Sequence, residues 1–157
     1  MPLLFTIGYE KASQADVLAA LEAAGVEILI DVRDRPQSRR AGFSKRQLEA
    51  GVEELGLRYV HLKALGTPPE GREANRTRQW DRFWRIVEDK LATAEAEIDL
   101  QRAAELAQAA PSCLLVLRGA DWHICHRRRV AELLVEPPRL RGSAISAPGP
   151  WRRASAD

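Results

Sequence analysis

Residues 26–32 have the sequence VEILIDV, a short stretch rich in β-branched side chains. Such residues favour extended backbone, so the stretch predicts a buried strand. A polar loop over residues 33–42, which contains Pro36, follows directly, so the strand is predicted to end at Val32. The elements on either side of this strand then decide the fold class.

Similar elements recur on both sides. Residues 3–7 form an apolar run that Gly8 stops, which predicts a first strand. Residues 13–25 and 44–56 each carry apolar residues at helical spacing between a serine and a glycine, which are common capping residues of a helix. Residues 57–62 predict a further strand. Strands and helices therefore alternate along the chain.

The second half continues this alternation after a polar interruption. Residues 70–79 predict a mobile loop or a loosely held helical turn. Residues 80–110 predict two helices that meet near 93–97. The most apolar strand candidate is 112–117, and the helix after it begins near residue 125 or 126 and runs to 134.

This order predicts an α/β fold with a mostly parallel sheet of about four strands and helices on both faces. The length of 157 residues, with 45% hydrophobic and 29% charged residues, is typical of one compact domain, which we place at residues 1–136. Residues 137–157 turn to Pro, Gly, Ser and Arg, and we predict a disordered or loosely attached tail there.

The charge and hydropathy of the chain exclude some partners. The formal net charge of +2 is too small to indicate nucleic-acid binding by itself. Only local clusters of basic residues could indicate it. Most basic residues are arginine, which suits phosphate ligands, although a codon bias would produce the same excess. No apolar stretch is long enough to cross a bilayer, so we expect no membrane partner.

The cysteines indicate the compartment and argue against a metal. Only Cys113 and Cys125 occur, and the first residues do not resemble a signal peptide, so we expect a cytoplasmic protein. Two cysteines and three histidines at these positions do not form paired ligand spacings, and no metal site is predicted. No glycine-rich phosphate loop occurs, and no cofactor is predicted.

The polar residues gather where the predicted strands end. In parallel sheets ligands bind beyond the carboxyl ends of the strands, which places four loops on one edge: residues 8–10, 31–40, 61–67 and 118–127. These loops predict an arginine-lined pocket that attracts anions. The alternative interpretation is that strand ends are simply solvated.

Asp31 is at the last buried position of a predicted strand and needs a partner. Four nearby arginines can supply one: Arg33, Arg35, Arg39 and Arg40. In a functional interpretation Asp31 orients an arginine onto an anion. In a structural one the carboxylate ties down the loop through backbone N–H groups. The sequence leaves both open.

Cys125-His126-Arg127 begins a predicted helix, where backbone N–H groups and the helix dipole favour negative charge. A thiolate at Cys125 is stabilised in such a place, which makes it a candidate nucleophile. The alternatives are that Cys125 is a small buried apolar residue, or that His126 is the working group.

Five motifs occur in order at compatible spacing: Thr6-Ile7-Gly8-Tyr9-Glu10, Asp31-Val32-Arg33, Phe43-Ser44-Lys45, Leu65-Gly66-Thr67-Pro68 and Cys125-His126-Arg127. With them the chain resembles the domain of unknown function 488 family over most of its length. The resemblance implies an α/β domain with its shared polar residues clustered, and it implies no settled reaction. In that family the last strand typically ends in a cysteine and then a glutamate, at the positions that Leu117 and Gly119 occupy here.

The leading functional hypothesis is an enzyme, or an enzyme-derived domain, that acts on a phosphate-bearing ligand such as a nucleotide or nucleic acid. Its candidate ligand-binding residues are Asp31, Arg33, Arg39, Thr67 and Arg127, and its candidates for chemistry are Cys125, His126, Tyr9 and Glu10. The alternative is a noncatalytic nucleic-acid-binding module with a basic surface. A third hypothesis is a structural or regulatory partner protein.

Overall fold

A computed structural model describes residues 3–9, 12–116, 126–135 and 144–146. The elements in chain order are β1 (Leu3–Gly8), α1 (Gln14–Ala23), β2 (Ile28–Asp31), α2 (Lys45–Glu54), β3 (Arg58–His61), a 3₁₀ turn (Lys63–Leu65), α3 (Pro69–Arg76), α4 (Trp80–Leu91), α5 (Ala94–Ala109), β4 (Ser112–Val116), α6 (His126–Val135) and β5 (Ala144–Ser146).

The strands form one parallel sheet in the order β3-β2-β4-β1-β5. The first four are the predicted strands, so the predicted α/β class and parallel sheet are confirmed. The short β5 adds to the edge at β1 and lies within the predicted tail. Residues 136–143 and 147–157 lie outside the described residues, and a disordered tail stays a prediction.

Helices cover both faces of the sheet. Leu29 and Leu115 pack in one core cluster with the apolar residues of α1 and α2. Ile30 and Leu114 point the other way and pack in a second cluster with residues of α3 to α6. From β1 to β3 each new strand lies nearer one edge of the sheet, whereas β4 and β5 are placed back toward the other edge. The covering helices change face at the same point, as right-handed crossovers require.

Capping residues explain several helix ends. Ser13 and Asp16 form a capping box at α1, because Ser13 Oγ accepts from the N–H of Asp16 at 3.1 Å and the Asp16 carboxylate accepts from the N–H of Ser13. Thr93 Oγ1 accepts from the N–H of Ala96 at 3.2 Å and begins α5, which confirms two helices within residues 80–110.

Two local expectations need correction. Residues 69–76 form a regular helix, α3, rather than a loop or a loose turn, and its polar composition reflects that it buries only Gly71, Ala74 and Asn75. Ser44 precedes α2 but its side chain does not cap that helix; its hydroxyl instead accepts from the N–H of Ser38 and donates to the Ser38 carbonyl.

Among the described residues, no helix is both long enough and apolar enough to span a bilayer.

Three helices end with the same backbone motif. At Gly25, Gly56 and Arg78 the backbone has positive φ, and the N–H groups of that residue and the next one bond back to carbonyls three and five residues earlier. Glycine adopts this conformation without steric cost, whereas a residue with a Cβ does not. Arg78 carries a Cβ, so its positive φ costs free energy, and its exposed side chain makes no buried contact with the described residues that explains the choice of residue.

We predict that Arg78→Gly raises the free energy of unfolding by about 0.5–1 kcal/mol, because glycine relieves the left-handed strain at the end of α3. Gly56→Ala is the matched control, and it should lower stability by about 1 kcal/mol since it introduces the same strain at α2. Urea denaturation of both variants measures the two changes. A loss of stability in Arg78→Gly would contradict this account.

Candidate functional site

The carboxyl ends of the strands meet along one edge, as the sequence predicts. In the strand register Asp31 pairs with both Leu115 and His61, and Leu115 also pairs with Ile7. These four residues therefore form one row across the sheet. Since β4 lies between β1 and β2, its last residue, Val116, lies in the middle of this edge.

A buried ion pair lies at the end of β2. The carboxylate of Asp31 accepts from Arg33 Nε at 2.8 Å and from Arg33 Nη2 at 2.7 Å, so the contact is bidentate. The same carboxylate accepts from the backbone N–H of Arg33 at 3.1 Å and from the hydroxyl of Tyr59. Asp31 is fully buried and Arg33 is 6% exposed, so both charges are largely removed from water.

The other side of the Arg33 guanidinium also faces protein. Nη1 donates to the Tyr9 hydroxyl at 3.0 Å and to the Phe43 carbonyl at 2.6 Å. The Tyr9 ring stacks on Phe43 with centroids 4.2 Å apart, and the guanidinium carbon lies 5.4 Å from the Tyr9 centroid. Residues of the first three sequence motifs thus meet around one guanidinium.

These contacts bear on the two interpretations of Asp31. An arginine carries five N–H donors, and in Arg33 four of them bond to Asp31, Tyr9 and Phe43. The guanidinium is directed into the protein, and Asp31 also binds the backbone N–H of Arg33, which is the arrangement of the structural interpretation. A ligand-binding role of Arg33 stays a prediction from the sequence.

The electrostatics follow from the same contacts. Burial opposes the charged form of Arg33, but the hydrogen bonds and negative charge of Asp31 outweigh it and raise the pKa of the guanidinium above its usual value. Burial, together with the charge of Asp31, raises the pKa of Tyr59 well above the ordinary value of a phenol. Tyr59 therefore remains a neutral hydrogen-bond donor to the carboxylate.

The loop after β3 is fastened to the loop after β2. His61 Nε2 lies 2.7 Å from the carbonyl oxygen of Arg33. Gly66 packs so closely on Asp34 that a Cβ at this position would overlap the Asp34 backbone. Arg72 reaches across from α3, donating to the Asp34 carboxylate at 2.9 Å and to the Thr67 carbonyl at 3.0 Å. These contacts hold the two loops in one arrangement.

Thr67 differs from its neighbours because its hydroxyl is unused. The residue is only 8% exposed, and Thr67 Oγ1 has no hydrogen-bond partner within the part of the chain that the structure describes. Buried hydroxyl groups in native proteins are normally paired, so an unpaired one requires an explanation. Thr6 Oγ1, in the middle of β1, is the other threonine hydroxyl of the described residues in this state.

A family model for a domain of unknown function, DUF488, matches residues 13–134. The chain belongs to the DUF488 family. This confirms the resemblance that the motifs indicated. No curated protein and no solved structure shows significant similarity to the chain.

Several predicted site residues of this DUF488 domain cannot be placed in the network. Glu10 and Cys125 lie outside the described residues, as do Leu117 and Gly119. The backbone of α6 begins at His126 as predicted, but nothing is described of the side chains of His126 and Arg127. Arg39 is exposed on the β2–α2 loop.

Sequence reasoning missed Tyr59. Its position in β3 gives the signal. Alternate residues of a strand point to the same face, so Tyr59 and His61 share a face of the sheet, and Asp31 of β2 pairs with His61. Among the described residues of this DUF488 domain, no group of three or more His, Cys, Asp or Glu side chains is placed to hold a metal ion.

We predict that Asp31→Asn lowers the free energy of unfolding by about 3–5 kcal/mol, because it leaves the Arg33 charge buried without its counterion. Asp34→Asn is the matched control. Its ion pair with Arg72 is partly exposed, so the loss should be at most about 1 kcal/mol. Equal losses in guanidinium chloride denaturation would show that the Asp31–Arg33 pair does not hold the loops.

We also predict that the DUF488 domain loses stability as pH rises above about 10, where a phenol in the unfolded chain ionises. Since the pKa of Tyr59 is raised in the folded state, the folded protein retains a proton that the unfolded chain releases, and stability falls with rising pH. Tyr59→Phe should flatten this fall. Denaturation midpoints measured across alkaline pH test it, and an unchanged slope in the variant contradicts it.

Proposed function

We propose that this DUF488 domain is an enzyme, or an enzyme-derived domain, that binds a phosphate-bearing ligand over the carboxyl edge of its sheet. The observation that carries the proposal is the buried, unpaired hydroxyl of Thr67 beside that edge. A phosphate oxygen is an acceptor for such a hydroxyl, and a ligand in this place supplies the missing partner.

The topology supports the same location. β1 and β2 are followed by helices on one face of the sheet, whereas β4, which lies between them, is followed by α6 on the other face. Connections that diverge in this way open a crevice beyond the strand ends, where ligands of α/β proteins bind. Cys125-His126-Arg127 enters α6 from this crevice in the proposal.

The buried network then acts as support. Tyr9 is 2% exposed and Arg33 is 6% exposed, and both are held by protein groups, so we assign them to positioning the loops. Arg39, Thr67 and Arg127 contact the anion in this proposal. Cys125, His126 and Glu10 supply any chemistry. A site held by packed and hydrogen-bonded residues keeps its geometry when the ligand arrives.

We predict that Thr67→Val weakens binding of AMP and of inorganic pyrophosphate roughly tenfold, because it removes the hydroxyl that bonds to the phosphate. Stability should stay the same or rise, since the hydroxyl that is lost has no protein partner. Isothermal titration calorimetry on the full chain gives the affinities, and thermal melts give the stabilities.

Thr6→Val is the matched control because it removes a second unpaired, fully buried hydroxyl from the middle of β1. It should change stability in the same direction and leave both affinities unaltered. If the wild-type chain binds neither probe nor any nucleic acid, the proposed function is wrong. If Thr67→Val binds as tightly as the wild type, Thr67 is not a ligand contact.

A further inference from the structure

The charges of α2 oppose its helix dipole. Lys45 and Arg46 lie in its first turn, where the dipole is positive, while Glu53 and Glu54 lie in its last turn, where it is negative. No acidic residue occurs in the first turn and no basic residue in the last. Each such placement is unfavourable for the helix. Helix stability therefore does not explain why Lys45 and Arg46 stand there.

Lys45 and Arg46 continue a run of cations from the β2–α2 loop. The cationic segment, residues 35–46, contains no acidic residue. Its basic side chains are all exposed, and none of them forms an ion pair with a described acidic residue; they are Arg35, Arg39, Arg40, Lys45 and Arg46. Asp34, just before the segment, is neutralised by Arg72. The chain as a whole carries only +2, so this positive charge is local.

Hydrogen bonds hold the cationic segment in one shape. Gln14 Nε2, on α1, donates to the carbonyls of Gly42 at 2.8 Å and of Gln47 at 3.0 Å. The N–H of Lys45 donates to the Pro36 carbonyl at 2.8 Å. An ordered surface loses less conformational entropy when it binds than a mobile loop does. The backbone that carries these charges is therefore ordered before any partner binds.

We propose that the cationic segment binds the phosphodiester backbone of a nucleic-acid strand. This inference rests on the proposed function and narrows its ligand from any phosphate-bearing molecule to a polymer. One or two cations are enough to bind a single phosphate. A nucleic-acid backbone carries many phosphates, so several basic side chains can each contact one, and each contact releases counterions. Arginine suits this role because its planar guanidinium pairs with two phosphate oxygens.

The double variant Lys45→Glu/Arg46→Glu tests the proposal through two readouts that move in opposite directions. Acidic residues in the first turn agree with the dipole, so the melting temperature should rise by about 2 °C or more. Affinity for a fluorescent single-stranded oligonucleotide of about 20 nucleotides should fall at least roughly tenfold. The dependence of log affinity on log salt should become shallower by about two.

The control is Arg82→Glu/Arg85→Glu, which makes the same change in net charge at exposed positions of α4, on the other side of the sheet. Oligonucleotide affinity should fall much less in this variant. An equal fall in both variants would mean that net charge alone drives binding, and the proposal would be wrong. Unchanged affinity in Lys45→Glu/Arg46→Glu would also overturn it.

Binding of AMP to the same proteins separates this inference from the proposed function. If AMP binds and the oligonucleotide binds no more tightly, the ligand is not a polymer, and only the further inference fails. If neither binds, the proposed function fails as well. Tighter binding of the oligonucleotide that depends on Lys45 and Arg46 supports both.

Discussion

The ion pair between Asp31 and Arg33 is the constraint on which the carboxyl edge depends. Two charges removed from water are tolerated only when their hydrogen-bonding groups are filled. Here the Tyr59 hydroxyl donates a further hydrogen bond to the Asp31 carboxylate. The Tyr9 hydroxyl and the Phe43 carbonyl accept from the N–H groups of Arg33 that do not contact Asp31. These partners come from the residue that follows β1, from β3 and from the loop before α2. One buried pair therefore fixes the relative positions of three chain segments that are far apart in sequence.

At the carboxyl edge, the polar groups on the two faces of the sheet differ in whether they are paired. On the side of α1 and α2, the groups around Arg33 satisfy one another. On the side of α3, the hydroxyl of Thr67 has no hydrogen-bond partner among the described residues, so it can still donate to a ligand. Ligand recognition needs groups that are not already paired within the protein. The paired side gives the edge its rigidity, and the unpaired side holds the hydroxyl that we propose contacts a phosphate.

Much of the fold could be predicted because local patterns determine it. The capping box at Ser13 and the helix break at Thr93 depend on residues within one turn, and the sequence shows them directly. α3 could not be predicted, since it buries few residues and shows little apolar periodicity. The direction of Arg33 could not be predicted either. An acid and a base two residues apart look the same whether the guanidinium turns inward or outward, and only the tertiary positions of Tyr9 and Phe43 decide it.

The position of β4 has a consequence for how the chain is made. β4 is the fourth strand in sequence but lies between β1 and β2 in the sheet, so those two strands are not neighbours until residues 112–116 arrive. During synthesis, the central pairing of the sheet must wait until this strand has left the ribosome. Contacts of such long sequence separation slow folding and leave apolar strand edges open in the meantime. The nascent domain is therefore most exposed to aggregation and to chaperones just before its last third emerges.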